Sequence, residues 1–444
     1  MRQITAALIG AGLRGGRVYS AYALEHPEEL KIVAVAEPDG EKRARFACEH
    51  KIPEDMQFAS YEELLEREKL ADCVMVCTQD RMHYKPVEGA MKKGYHVLCE
   101  KPMSCDAKEI MEMGEMPQKY GKVLSICHVL RYSLFFMKIK EMLEEGRIGK
   151  LMNIQHIEQV GYWHHAHSFV RGNWRREEET SPMILQKCCH DMDILLWLAG
   201  SPCKSISSFG GLSYFTKANA PENAAGRCTD GCAYAKRCAF YAPGFYMAHP
   251  KAVEDGLVYA LSPQADPAEE EGREAVKKAL EEGPYGRCVF HCDNTVVDHQ
   301  VVNLMFENGV QVSFTMSAFT DSCAREIFLM GTEGQIRGNM EKGTLEYTHF
   351  LSGKTEPIDL HTPSALHSGS DMLMMKDFVR LIASAEGEDG GGGTKAAGCR
   401  RASSGAAESV DGHLMALAAE SSRVTGKTVD FSEYKDGMRR ALGN

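Results

Sequence analysis

Ile4-Thr5-Ala6-Ala7-Leu8-Ile9-Gly10-Ala11-Gly12-Leu13-Arg14-Gly15 decides how this chain starts to fold. The first six residues read as a short buried strand. Glycines follow at once, and a helix-like stretch then runs to about His26. A GxGxxG string alone is weak, but here it has a strand before it and a helix behind it. Gly10 permits the tight turn, Gly12 lets backbone approach a pyrophosphate, and Gly15 allows close helix–strand packing. Leu13 and Arg14 stand at the helix start, where unpaired N–H groups suit phosphate.

Working outward, Lys31 to Ala36 is a second buried strand and ends at Glu37. An acid at that distance reads the adenosine ribose hydroxyls and favours NAD over NADP. Lys42 and Arg43 lie close enough to leave NADP tolerance open. Ala71 to Cys77 is a third strand and runs into Thr78 and, five residues on, His83. Tyr95 to Leu98 leads into Cys99-Glu100-Lys101-Pro102, where proline stops the ladder. That puts a carboxylate and an ammonium at the carboxyl end of a strand, the end that faces the ligand crevice in open α/β sheets. A lysine there can hold a hydroxyl oxygen and shift its proton. Lys122 to Cys127 closes the series, with Arg131 just beyond. The alternation predicts a doubly wound parallel sheet, a Rossmann domain, over residues 1–131.

The pattern then changes. A strand from Leu151 to Val160 precedes a loop dense in aromatic and hydrogen-bonding groups, with Tyr162, His164 and His167 as candidate sugar or polyol contacts. Ile184 to Ala199 reads as one helix, with Gln186, His190, Asp193 and Trp197 along a face and Lys187 beside it. An insertion at about 212–296 is rich in cysteine. Cys228, Cys232, Cys238 and Cys292 (or Cys288) are candidate ligands of a structural zinc; free thiols in a compact loop are the alternative. Asn308-Gly309 between two apolar runs predicts a type I′ hairpin. A helix is expected over Asp371 to Ala385, then a flexible acidic and glycine-rich loop through 393, and a last amphipathic helix from about Ser409 to Val424.

Composition narrows the class. With 444 residues, 44% hydrophobic and 25% charged, the chain has room for two or three cored domains. A net charge of -11 argues against a nucleic-acid surface. Sixteen scattered cysteines suit a reducing compartment. No apolar window approaches a membrane span, and the expected location is cytoplasmic.

Taken together, the glycine motif, Glu37, Thr78 with His83, Glu100-Lys101-Pro102, Trp174-Arg175 and His190-x-x-Asp193 resemble the glucose–fructose oxidoreductase/inositol dehydrogenase family (Gfo/Idh/MocA). The resemblance implies a second α+β domain over 132–444 with a large open, mostly antiparallel sheet, and a homo-oligomer (dimer or tetramer) through that sheet. It implies NAD-dependent oxidation of a secondary hydroxyl of a sugar, glycoside or cyclitol, such as a pyranose C3 hydroxyl. The alternatives are an NAD-assisted glycosidase working by transient oxidation and elimination, and a non-catalytic sensor. Lys101 and His190 are then the acid–base residues. Thr78, His83, Glu100, Lys101, Trp174 and Arg175 join the glycines and Glu37 as cofactor contacts. Arg131, Tyr162, His164, His167, Gln186 and Asp193 are the expected substrate contacts. The family often has an aspartate where this chain has Gln186, which makes Lys187 a candidate relay partner.

Overall fold

The computed structural model describes residues 2–262, 267–360, 369–386 and 404–442. Six short strands form the first sheet: β1 (Ile4–Ile9), β2 (Leu30–Ala36), β3 (Gln57–Phe58), β4 (Cys73–Val76), β5 (His96–Cys99) and β6 (Leu124–Ile126). They lie in the order β3-β2-β1-β4-β5-β6, all parallel. Near-continuous burial of β1, β4 and β5 is what a sheet covered on both faces requires. Beyond the strand ends the ladder continues through Gly10 N to Ala36 O, Cys77 N to Ile9 O, and Glu100 N to Val76 O. Gly10, Glu37, Thr78, Lys101 and His128 therefore all lie along one edge.

The second sheet comprises β7 (Leu151–Gln159), β8 (Cys203–Gly211), β9 (His299–Phe306), β10 (Gln311–Ser317), β11 (Ala324–Gly331), β12 (Gly334–Asn339), β13 (Thr344–His349), β14 (Lys354–Ile358) and β15 (Val429–Asp430). Its order is β14-β13-β12-β11-β7-β10-β9-β8-β15, antiparallel except at β7–β10. Burial alternates along β9 and β10, so one face carries the core and the other stands open.

Three details differ from the sequence reading. Asn308-Gly309 does close a hairpin, but only Gly309 has positive φ (87°), whereas type I′ needs it at both central residues. Gly309 N bonds to Phe306 O and Phe306 N to Val310 O, a three-residue loop whose glycine takes the left-handed position. The expected helix over 184–199 is two, Met183–Gln186 and Cys189–Ala199, with a turn at Lys187 and Cys188. The helix Ser370–Glu386 turns back onto the first domain. Its Met374, Met375, Phe378, Val379 and Ile382 pack with Ile4, Ala6 and Leu8, and each large side chain so buried contributes about 1.5–3 kcal/mol. The glycine-rich stretch after it lies outside the described residues. The last helix, Ala406–Thr425, lies against the helix Cys189–Ala199: a Cβ on Gly412 would come 3.0 Å from Asp193 Cα.

Candidate active site

At the glycine turn, Gly10 sits at φ 91°, and a Cβ there would lie 2.6 Å from Cys77 O. One on Gly15 would overlap Gly10 O and lie 2.8 Å from Cys77 Cβ. A Cβ on Gly12, by contrast, would have no atom within 4 Å. The cradle is open at the start of the following helix, whose first turn, Arg14–Tyr19, is π-helical. Beside it Glu37 accepts from Ala11 N (2.8 Å) and Asp39 N (3.1 Å). An acceptor-only carboxylate suits ribose hydroxyls and repels a phosphate. These residues fit a dinucleotide.

The side chains of Arg14 and Glu100, both expected at the cofactor, are bound to each other. Arg14 donates to Glu100 (2.9 Å), Tyr19 Oη (2.5 Å) and Asp371 (2.6 Å), and Tyr19 Oη donates to Glu100 (2.5 Å). Burial pushes the Glu100 carboxyl up, but Arg14, Lys101 and the Tyr19 hydroxyl outweigh it and hold it below the usual range. The carboxylate's other oxygen accepts from Lys101 N at 2.7 Å. Glu100 thus braces the turn that presents Lys101.

That turn is tied on two more sides. His83 ring nitrogens lie 2.7 Å from Pro102 O and 3.1 Å from Thr78 O, so both residues expected at the cofactor also shape the lysine turn. Met103 N donates to His413 Nε2 (3.0 Å), and His413 Nδ1 donates to Ser409 O (2.9 Å). Lys101 Nζ donates across the cleft to Gln186 O at 2.8 Å.

On the second domain, His190 lies in the first turn after the helix break and is 8% exposed. Its ring meets His128 edge-on at 5.6 Å. His128 Nδ1 is 3.9 Å from Asp193, which Arg131 grips with two hydrogen bonds of 2.7 Å. Burial pushes His128 down to about 4. His128 is therefore neutral at ordinary pH, and Arg131 and Asp193 pair with each other. Lys187 pairs with Glu158 (3.2 Å), which also holds Arg325 (2.8 Å). Desolvation works against the Lys187 charge, yet Cys323 and Glu158 overcome it and raise its pKa. The pairing with Glu158 holds Lys187 as an ammonium.

The aromatic loop also divides. Burial and then Lys187 push His164 well below its ordinary value, and Lys101 adds to the effect. His167 turns the other way, onto Tyr246 Oη (2.7 Å) and the Tyr285 ring (4.7 Å). Tyr162 packs edge-on against Phe240 at 5.9 Å. Trp174 Nε1 donates to Asp80 (3.1 Å), as does Ser181 Oγ (2.6 Å), which pins the loop to the end of β4. Arg175 is spent on Asp293 (2.9 and 3.2 Å). Among the described residues no three His, Cys, Asp or Glu side chains are grouped to hold a metal ion, so the expected zinc set of Cys228, Cys232, Cys238 and Cys292 is not formed. The Arg171 guanidinium lies 3.7 Å from Cys228 Sγ. Asp80, His128, Glu158 and His413 escaped the sequence reading because their partners are remote and none belongs to a spaced motif.

Residues 4–128 match the model of an oxidoreductase family's NAD-binding Rossmann fold, and residues 140–386 match that family's C-terminal alpha/beta domain. YteT of Bacillus subtilis is 22% identical over 354 residues, 75% of this chain and 79% of that one. The 2,7-anhydro-N-acetylneuraminate hydratase of Escherichia coli is 26% identical over 210 residues, 47% of this chain, which spans about half (53%) of the hydratase. The solved myo-inositol 2-dehydrogenase of Lactobacillus plantarum superposes with a TM-score of 0.63 at 15% identity, covering 96% of this chain and 99% of the other, a likeness of fold. With a matched NAD-binding domain on one side of the cleft and the matched C-terminal domain on the other, this chain belongs to the GFO_IDH_MocA oxidoreductase family.

Proposed function

We propose that the protein is an NAD-dependent oxidoreductase acting on a secondary hydroxyl of a sugar, glycoside or cyclitol. The observation that carries this is the Lys101–Gln186 contact, which sets an ammonium from one domain against the start of the His190 segment of the other. Bound NAD, held by the Gly10–Gly15 turn and Glu37, supplies the hydride acceptor. Lys101 donates to the substrate oxygen and stabilises its growing negative charge. His190 takes the hydroxyl proton. Its imidazolium then faces neutral His128, behind which the Asp193–Arg131 pair fixes the layer below. Lys187, paired with Glu158, supplies a fixed positive charge nearby. A binding module needs neither Lys101 nor His190, which weighs against a sensor.

The likeness to a hydratase supports a second reading, in which oxidation is transient and the substrate is cleaved or rearranged without net redox change. Incubating the protein with NAD and a panel of pyranosides and cyclitols separates the two. Accumulating NADH supports net oxidation, product without NADH supports the redox-neutral course, and neither with any substrate removes both. The open face of the second sheet, with exposed Phe209, Val301 and Met305, is our candidate contact for a second copy, and light scattering that finds a monomer would dismiss it.

A further inference from the structure

Between β8 and β9, residues 212–262 and 267–298 form a segment that reaches back to the glycine turn. Gly256 packs on Leu13: a Cβ there would lie 3.8 Å from Leu13 Cδ1. Three residues on, Tyr259 sits between the segments that flank the turn. Arg17 Cζ stands 4.9 Å and Arg45 Cζ 5.4 Å from its ring centroid, and Arg45 donates to Tyr259 Oη at 2.6 Å. Arg17 belongs to the helical turn that starts at the glycines, and Arg45 to the helix Gly40–His50 that follows Glu37. The other end of the insertion holds the loop opposite, where Trp163 stacks on Phe245 (6.0 Å) and His167 on Tyr285 (4.7 Å). One apolar cluster joins the two ends, and it includes Trp163, Phe245, Tyr246, Leu257, Val258 and Tyr285. Leu257 and Val258 immediately precede Tyr259, so the ring is mounted on that packed body.

We infer that the insertion is part of the dinucleotide site, a strap from the substrate loop to the glycine turn that retains the cofactor through Tyr259, Arg17 and Arg45. The inference rests on the reading of the Gly10–Gly15 turn as an NAD site. A dinucleotide seated on the open Gly12 cradle is bounded by Leu13 and Glu37, and the strap spans that side. Leaving past it requires two cation–π contacts and a hydrogen bond to break together, or a detour through the narrow domain interface at Lys101 and Gln186. A cofactor held this way leaves slowly.

Release can be measured directly on the full chain, independently of any substrate. Protein loaded with NADH is mixed with excess NAD, and loss of bound-nicotinamide fluorescence gives the dissociation rate. Tyr259→Ala is expected to speed release roughly tenfold or more, with Tyr259→Phe in between. The Arg17→Ala/Arg45→Ala variant, which leaves the insertion intact, is expected to do the same. The triple variant should add nothing further, because all three residues act through one contact. Equal release rates in wild type, Tyr259→Ala and the arginine variant overturn the strap and leave the oxidoreductase reading standing. So does full additivity, which would mean that the arginines touch the cofactor on their own. A wild-type protein that binds neither NAD nor NADP overturns both.

Discussion

The two walls of the cleft were built by different rules. On the first-domain wall, the turn at Gly10, Gly12 and Gly15 has the geometry its residue types demand, with one glycine strained, one open and one pressed against a strand. Around the second-domain wall, residues chosen for their hydrogen-bonding capacity largely face one another: Asp193 with Arg131 of the first domain, Arg175 with Asp293, His167 with Tyr246. Where backbone conformation is itself the chemistry, a short string of residue types carries the answer. Where side chains do the work, a residue's role depends on a partner that is distant in sequence.

The largest effect that tests this contrast is on stability. Arg131→Ala leaves the buried Asp193 carboxylate without its guanidinium, and such uncompensated burial costs about 3–5 kcal/mol. Arg175→Ala, facing the half-exposed Asp293, should cost no more than about 1 kcal/mol. Urea denaturation of both variants checks the pair, and equal losses would mean the buried pair is no scaffold. Next come the residues that do face the cleft. Lys101→Ala and His190→Ala should each lower turnover roughly a hundredfold or more with NAD affinity nearly intact. A His190→Ala enzyme of normal rate would rule that residue out as the base.

What was legible follows the same line. The strand–glycine–helix unit, the alternation behind it, the Asn308-Gly309 hairpin and the lysine at a strand end could all be read locally. The helix break at Lys187 could not, because Ile184 to Ala199 contains no glycine or proline until Gly200 and the reason for bending is tertiary. Lys187 is drawn to Glu158 on β7. His413 is likewise silent in sequence, since it braces Met103 across 310 residues. The helix Ser370–Glu386 carries an ordinary apolar face, and nothing in it says which domain's core it completes.

A smaller effect comes from the aromatic loop. His165 is fully buried between Phe169 (5.5 Å) and Phe215 (5.3 Å), neither ring nitrogen has a hydrogen-bond partner, and burial pushes it down to about 4. Between that value and its unfolded value of about 6.5, the unfolded chain binds a proton that the folded one refuses. Stability therefore falls as pH drops through this window and is regained as pH rises. At about pH 5 the cost from this one group is about 2 kcal/mol. His165→Phe keeps the stack and removes the titration. Its stability should fall less than that of wild type between about pH 7 and about pH 5, by roughly that amount. Parallel losses in the two proteins would show that His165 is not the group that titrates.

The smallest effect bears on the best-read part of the molecule. Glu37 holds Ala11 N and Asp39 N with its two oxygens, so its charge lies beside the open cradle where the adenosine ribose belongs. Wild type should bind NAD more tightly than NADP, because a 2′-phosphate there meets a carboxylate. Glu37→Ala removes the ribose acceptor and the repulsion together. NAD affinity should fall and NADP affinity hold or rise, and the gap between them should narrow by about 1 kcal/mol, some fivefold. Arg43, whose guanidinium donates to Glu37 O, then becomes a nearby cation for the phosphate. Titrating both dinucleotides against intrinsic fluorescence measures the gap in each protein. Tighter NADP binding by wild type would sink the assignment of Glu37, and with it the claim that the first-domain wall can be read from its residue types alone.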